Sequence, residues 1–166
     1  MNMIVTVDEN WAISFKDNPL VSIPAEEKTR MQEISGKVIV YGEKYIKNLL
    51  GQQPLRECMN VIFTDGAKVN IRKTENVVVC DTIEEIRDVL KCYASDEVYI
   101  INNEKLYREF LPDTDVVHVT KIDYAYKADA FFENLDKNPN FKITADSDEM
   151  YCYDIVYSFL KYERRK

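Results

Sequence analysis

EVYIINNEKLYREFLPDTDVVHVTKID, residues 97–123, carries the pattern on which the fold turns. Val98-Tyr99-Ile100-Ile101 is a short apolar run of β-formers, the kind a parallel sheet buries on both faces. Asn102-Asn103 breaks the run and can cap a helix starting at Glu104. From Glu104 to Leu111 the residues Leu106, Tyr107, Phe110 and Leu111 recur at helical spacing, and Pro112 stops the helix. Val116–Ile122 is a second strand. Strand, helix and strand in this order form a βαβ unit, and the start of such a helix is where α/β proteins hold phosphate. A plain α/β core without a ligand fits the pattern equally well, because a fold does not fix a function.

The chain of 166 residues is one domain's worth and long enough to bury most of its apolar surface. Its net charge of −7, from 22 basic and 29 acidic side chains, argues against nucleic-acid binding. No apolar run approaches the roughly 20 residues of a membrane helix, and Met1-Asn2-Met3-Ile4 begins a strand rather than a signal peptide. Cys58, Cys80, Cys92 and Cys152 are widely spaced and His118 is the single histidine, which argues against a zinc site and for free thiols in a reducing cytoplasm.

On either side of the central unit the αβ alternation continues. Met3–Val7 is a first strand, and Asn10–Ser22 is a loop with one tryptophan, Trp11. Pro24 opens a helix whose first turn carries Glu26 and Glu27, where acids ordinarily complement the helix dipole. Val38–Gly42 is a buried strand followed by a helix over Glu43–Leu50. Val77–Cys80 is another strand, and Asp81-Thr82 caps a helix over Ile83–Tyr93 with one apolar face. Phe141–Thr144 and Tyr151–Tyr162 read as a two-stranded return that closes the sheet.

Residue by residue, these segments resemble the dihydrofolate reductase family. IINNEKLYREFLPDTDVVHVTKID is similar to V-I-G-G-x-x-[IVL]-Y-x-x-x-L-P followed by a strand ending in L-T-x-I; Ile101, Tyr107, Leu111, Pro112, Thr120 and Ile122 fall on that pattern. MIVTV and the loop after it resemble the family's opening strand and mobile lid, with Ser14 where the lid has glycine. IPAEE resembles L-P-x-D/E, and the Gly36–Tyr45 stretch resembles G-K-x-V-[IV]-M-G-R-x-T. GQQPLRECMNVI resembles G-R-P-L-x-G-R-x-N-[IV]-[IV], so the likeness covers nearly the whole chain.

The resemblance implies one α/β domain over residues 1–166, a single mixed, mostly parallel sheet of about eight strands flanked by about four helices. It implies NADPH-dependent reduction of 7,8-dihydrofolate, or a related pterin, to the tetrahydro form in the cytoplasm. Hydride would pass from C4 of NADPH to C6 of dihydrofolate, with N5 protonated by way of water. Glu26 would hold the pterin and Thr120 would brace Glu26. Ile4, Val5, Arg30, Leu50, Arg56, Ile101 and Tyr107 fall at substrate-binding positions. Thr6, Ile13, Gly42, Lys44, Thr64, Asn102, Asn103, Glu104 and Lys105 fall at cofactor-binding positions. No metal, nucleic acid or membrane is implied, and a monomer or weak homodimer is expected.

Several of these positions depart from the family. Arg30 stands where a phenylalanine would stack on the pterin, and it can pair with Glu26 or Glu27. Glu43 replaces an arginine that grips cofactor phosphate, with Lys44 as partial compensation. Cys58 replaces the arginine that clamps the folate carboxylate, and Arg56 is two residues away. Asn102-Asn103 replaces a Gly-Gly pair joined by a cis peptide; a cis bond here would cost about 3–4 kcal/mol, so a trans bond is expected. Each lost charge-assisted contact costs about 1.5–3 kcal/mol. Three readings are open: a dihydrofolate reductase of weak activity, an eroded relative that binds another ligand or a protein partner, and a reductase of another heterocycle.

Overall fold

The computed structural model describes residues 1–166 apart from the side chain of Leu50, so the expectation placed on that side chain lies outside the described residues. In chain order the elements are β1 (Asn2–Val7), β2 (Ala12–Phe15), β3 (Asn18–Pro19), α1 (Pro24–Ile34), β4 (Val38–Gly42), β5 (Met59–Phe63), β6 (Val77–Cys80) and α2 (Ile83–Leu90). They continue with β7 (Val98–Ile100), α3 (Glu104–Phe110), β8 (Val116–Ile122), β9 (Ala130–Phe131), β10 (Phe141–Asp146), β11 (Met150–Cys152) and β12 (Ile155–Arg164).

The strands are apolar on both faces, and their alternation sorts side chains into two cores. Met3, Val5 and Val7 of β1, Val38 and Val40 of β4, and Val61 and Phe63 of β5 enter one core with Leu106, Tyr107 and Phe110 of α3. Ile4, Ile39, Tyr41 and Ile62 enter the other with Ile34 of α1. The sheet runs β10-β12-β8-β1-β7-β4-β5-β6, with β11 on β12. From β8 to β6 the neighbours are parallel, while β12 is antiparallel to both β8 and β10. The expected mixed, mostly parallel sheet is therefore present. β7 inserts between β1 and β4, so the chain leaves β1 toward β4 and leaves β7 toward β8. These neighbouring strands send their connections in opposite directions over opposite faces of the sheet, which leaves a crevice at their carboxyl ends, where α/β sheets bind ligands.

Four local expectations are corrected. The segment after β4 forms 3₁₀ turns over Glu43–Asn48 and Leu50–Gln52, broken by extended Leu49 and by Gly51 at φ 73°, rather than one α-helix. α2 ends at Leu90, after which Cys92 and Tyr93 make tight bonds to the carbonyls of Val89 and Leu90. Asn10–Ser22 is not an open loop, since β2 and β3 form a hairpin that β9 extends. The return contains three strands, because Tyr153 at φ 55° turns the chain between β11 and β12.

Two buried polar side chains hold loops at opposite ends of the sheet, Asp8 after the carboxyl end of β1 and Asn60 at the amino end of β5. Asp8 is fully buried and accepts from the backbone N–H groups of Asn10, Ala12 and Tyr126 at 2.8–2.9 Å. Asn60, also fully buried, accepts from the Tyr41 hydroxyl at 2.9 Å and from Leu55 N–H at 3.1 Å, and donates to the Leu55 carbonyl at 2.8 Å. Asn60→Ala would strand at least two buried groups, so it is expected to lower unfolding free energy by about 2–4 kcal/mol. A urea titration with unchanged slope and a lowered midpoint is the check.

Candidate functional site

Register brings the first part of the site together. Thr6 and Thr120 are paired residues of the parallel strands β1 and β8. Their hydroxyls reach the same oxygen, Glu26 Oε1, at 3.1 Å and 3.2 Å. Pro24 starts α1 so that Glu26 falls in its first turn, turned inward and 5% exposed. Arg30 lies one helical turn further on, and its Nη2 donates to Glu26 Oε1 and to the Thr6 hydroxyl, the latter at 2.7 Å. Its Nη1 reaches the Tyr45 hydroxyl at 3.4 Å. Burial opposes the charge of Arg30, but Glu26 and the Tyr45 and Tyr107 hydroxyls more than offset this, raising its proton affinity above that of an ordinary arginine.

The result is an asymmetric carboxylate. Oε1 accepts from three donors, whereas Oε2 has no protein partner among the described residues. A free carboxylate accepts two parallel N–H bonds from the edge of an amidine-like heterocycle. Glu26 offers one oxygen for that purpose. Nε of Arg30 is the buried side-chain polar atom left without a partner among the described residues. Tyr107, on α3, donates to the Ile4 carbonyl at 2.8 Å. Burial pushes its hydroxyl well above the usual range, with Arg30 partly opposing, so it stays a neutral donor.

The second part lies at the carboxyl ends of β4, β5 and β7. A Cβ built on Gly42 would lie 2.7 Å from Asn103 Nδ2 and 3.3 Å from Asn102 Oδ1, so the two asparagines crowd that strand end. The 102–103 peptide is trans, as expected, and Asn103 takes φ 87°. Its side-chain oxygen accepts from Lys105 N–H at 2.9 Å and Leu106 N–H at 3.2 Å, using donors at the start of α3. Lys44 pairs with Asp17 of the β2–β3 hairpin at 3.0 Å, and Lys105 pairs with Asp65 at 2.9 Å. The Thr64 hydroxyl donates to Asp81 at 2.8 Å, and Glu104 accepts from Phe131 N–H at 2.8 Å.

These residues line one cleft of about 1220 Å³, more than the roughly 300–1,000 Å³ one drug-sized ligand occupies. Ile4, Val5, Thr6, Ile13, Glu26, Arg30, Gly42, Lys44, Thr64, Ile101, Asn102, Asn103, Glu104, Lys105 and Tyr107 all face it. Thr120 stands behind Glu26. Arg56 does not join them: Leu55 and Cys58 are buried on either side of it, and Arg56 faces solvent outside the cleft lining. Cys58 turns into the core, where its thiol reaches the Ile34 carbonyl at 3.2 Å. Sequence reasoning overlooked Asp17, Tyr45 and Asp65 as partners of the cleft cations. Only Tyr45 had a local signal, its place in the strand-to-turn motif.

A family model described as dihydrofolate reductase matches residues 1–164. Dihydrofolate reductase of Bacillus subtilis (strain 168) is 27% identical over 99% of this chain and 95% of its own length. That of Staphylococcus haemolyticus is likewise 27% identical, over 99% and 95%. The solved structure of dihydrofolate reductase from Enterococcus faecalis, complexed with NADP(H) and RAB-propyl, matches with a TM-score of 0.80 at 20% identity. The match covers 99% of this chain and 96% of that one, and it shows the fold.

The buried pair sets a stability test. Arg30→Leu leaves Glu26 without its cation and is expected to cost about 3–5 kcal/mol, whereas adding Glu26→Leu restores most of the loss. Urea denaturation of the two single variants and the double variant measures the coupling.

Proposed function

The chain belongs to the dihydrofolate reductase family, and from that premise we propose that it reduces the pterin ring of dihydrofolate with a nicotinamide dinucleotide, at a low rate. The observation that carries this reading is Glu26, held by the paired hydroxyls of Thr6 and Thr120 in a cleft with room for two ligands. The dinucleotide would lie across the carboxyl ends of β7, β4 and β5, where Asn102 and Asn103 crowd Gly42; the residues that would hold it are Thr6, Ile13, Gly42, Lys44, Thr64 and Asn102–Lys105. When bound, it supplies the hydride. NADPH is the form the family resemblance implies, and NADH differs from it by one ribose phosphate.

Glu26 Oε2 accepts one N–H of the pterin's amino edge and so sets which face the ring presents. Thr6 and Thr120 keep the carboxylate from rotating. The protein places no acid at the pterin N5 in this reading, so its proton comes from water that enters the cleft. Arg30 limits the rate in two ways: it occupies Oε1, and it puts a guanidinium where an apolar surface would cover the ring. The matched pairs Arg30–Glu26, Lys44–Asp17 and Lys105–Asp65 also favour a second reading, a relative that no longer turns over.

Spectrophotometric assays of dinucleotide oxidation with dihydrofolate, confirmed by mass detection of tetrahydrofolate, distinguish the two. Glu26→Gln is expected to lower kcat/KM by about 10²-fold or more, while Arg30→Phe, assayed well below its melting temperature, raises it about tenfold. Absence of tetrahydrofolate with both the natural protein and Arg30→Phe would establish the non-catalytic reading.

A further inference from the structure

We propose that the dinucleotide end of the cleft discriminates against a ribose 2′-phosphate, so that the protein takes NADH in preference to NADPH. This rests on the reading of the protein as a nicotinamide-dependent reductase. Hydride has to be delivered beside Glu26 and Thr6, at the β1 end of the cleft. The rest of an extended dinucleotide would then cross the carboxyl ends of β7 and β4 toward β5, where Thr64, Asp65 and Lys105 line the cleft and would face its adenosine half.

NADPH and NADH differ there by one phosphate. A site built for that phosphate presents unmatched cations, most effectively the fork of an arginine. A site built for the free ribose presents a carboxylate to the 2′-hydroxyl. This chain presents the second arrangement. Asp65 directly follows Thr64 at the end of β5 and is exposed, and Glu43 sits in the cleft wall at the end of β4. Asp81 stands behind Thr64 and already accepts a hydrogen bond from its hydroxyl at 2.8 Å.

Of the lysines that line the cleft, Lys105 is bonded to Asp65 Oδ1 at 2.9 Å and Lys44 to Asp17 at 3.0 Å. A 2′-phosphate would meet Asp65 and Glu43, and would gain Lys105 only by breaking its pair. A 2′-hydroxyl can donate to Asp65 Oδ2, which has no protein partner among the described residues, and leave the Lys105 pair intact.

The test titrates the natural protein with NADH and with NADPH, following nicotinamide emission, and repeats both with Asp65→Ser. NADH is expected to bind about tenfold or more tightly than NADPH, a gap that narrows as salt screens the repulsion. Asp65→Ser frees Lys105 and removes the acceptor, so the gap should close or reverse. Competition between adenosine 2′,5′-bisphosphate and adenosine 5′-monophosphate gives the same comparison without any chemistry: the monophosphate should compete better. Tighter binding of NADPH to the natural protein overturns this inference alone. A preference for NADH that survives Asp65→Ser overturns the role given to Asp65. If neither dinucleotide binds at millimolar concentration, the nicotinamide-dependent reading falls with it.

Discussion

Glu26, Arg30, Thr6 and Thr120 form one hydrogen-bonded group on which the cleft depends. A buried carboxylate is costly unless it is paired and fully bonded on at least one side. Here the parallel register of β1 and β8 sets two hydroxyls side by side, and helical periodicity brings Arg30 over the same oxygen. The group also docks α1. That helix buries only Glu26 and Ile34, so it has little apolar surface with which to hold itself against the sheet. The ion pair therefore contributes to the site and to the position of one of its walls. Charge that could serve a ligand is engaged in holding the fold.

The same arrangement recurs across the cleft. Lys44 and Lys105 are each matched to a carboxylate from another part of the chain, and Asn103 satisfies two N–H groups at the start of α3. An anionic ligand gains Lys44 or Lys105 only by displacing these partners. Exposed pairs such as Lys44–Asp17 are worth little and are easily exchanged, whereas Arg30–Glu26 is buried and is not.

The segment over the cleft is more constrained than a free lid. Asp8 fixes the turn after β1, and β2, β3 and β9 pair into a small sheet. The Lys44–Asp17 contact also joins the tip of the hairpin to the turn after β4.

The repeating apolar strands, the helical spacing of Leu106, Tyr107 and Phe110, and the stop at Pro112 determined the αβ order by themselves, because these are local periodicities. The family's motifs extended that to the parallel sheet and to the positions of Glu26 and Thr120. Substitutions at Arg30, Glu43, Asn102 and Asn103 were legible as changes of charge and size, but not what the chain did with them. Whether Arg30 met Glu26 or Glu27 depended on which way α1 faced. Whether Lys44 and Lys105 stood ready for a ligand depended on Asp17 and Asp65, which lie 27 and 40 residues away in sequence. Tyr153 in a left-handed turn and the 3₁₀ path after Gly42 were likewise beyond propensity. Pairing of charges across a cleft is a property of closed tertiary geometry, since the attraction acts only once folding has brought the groups within a few ångströms and removed the water between them.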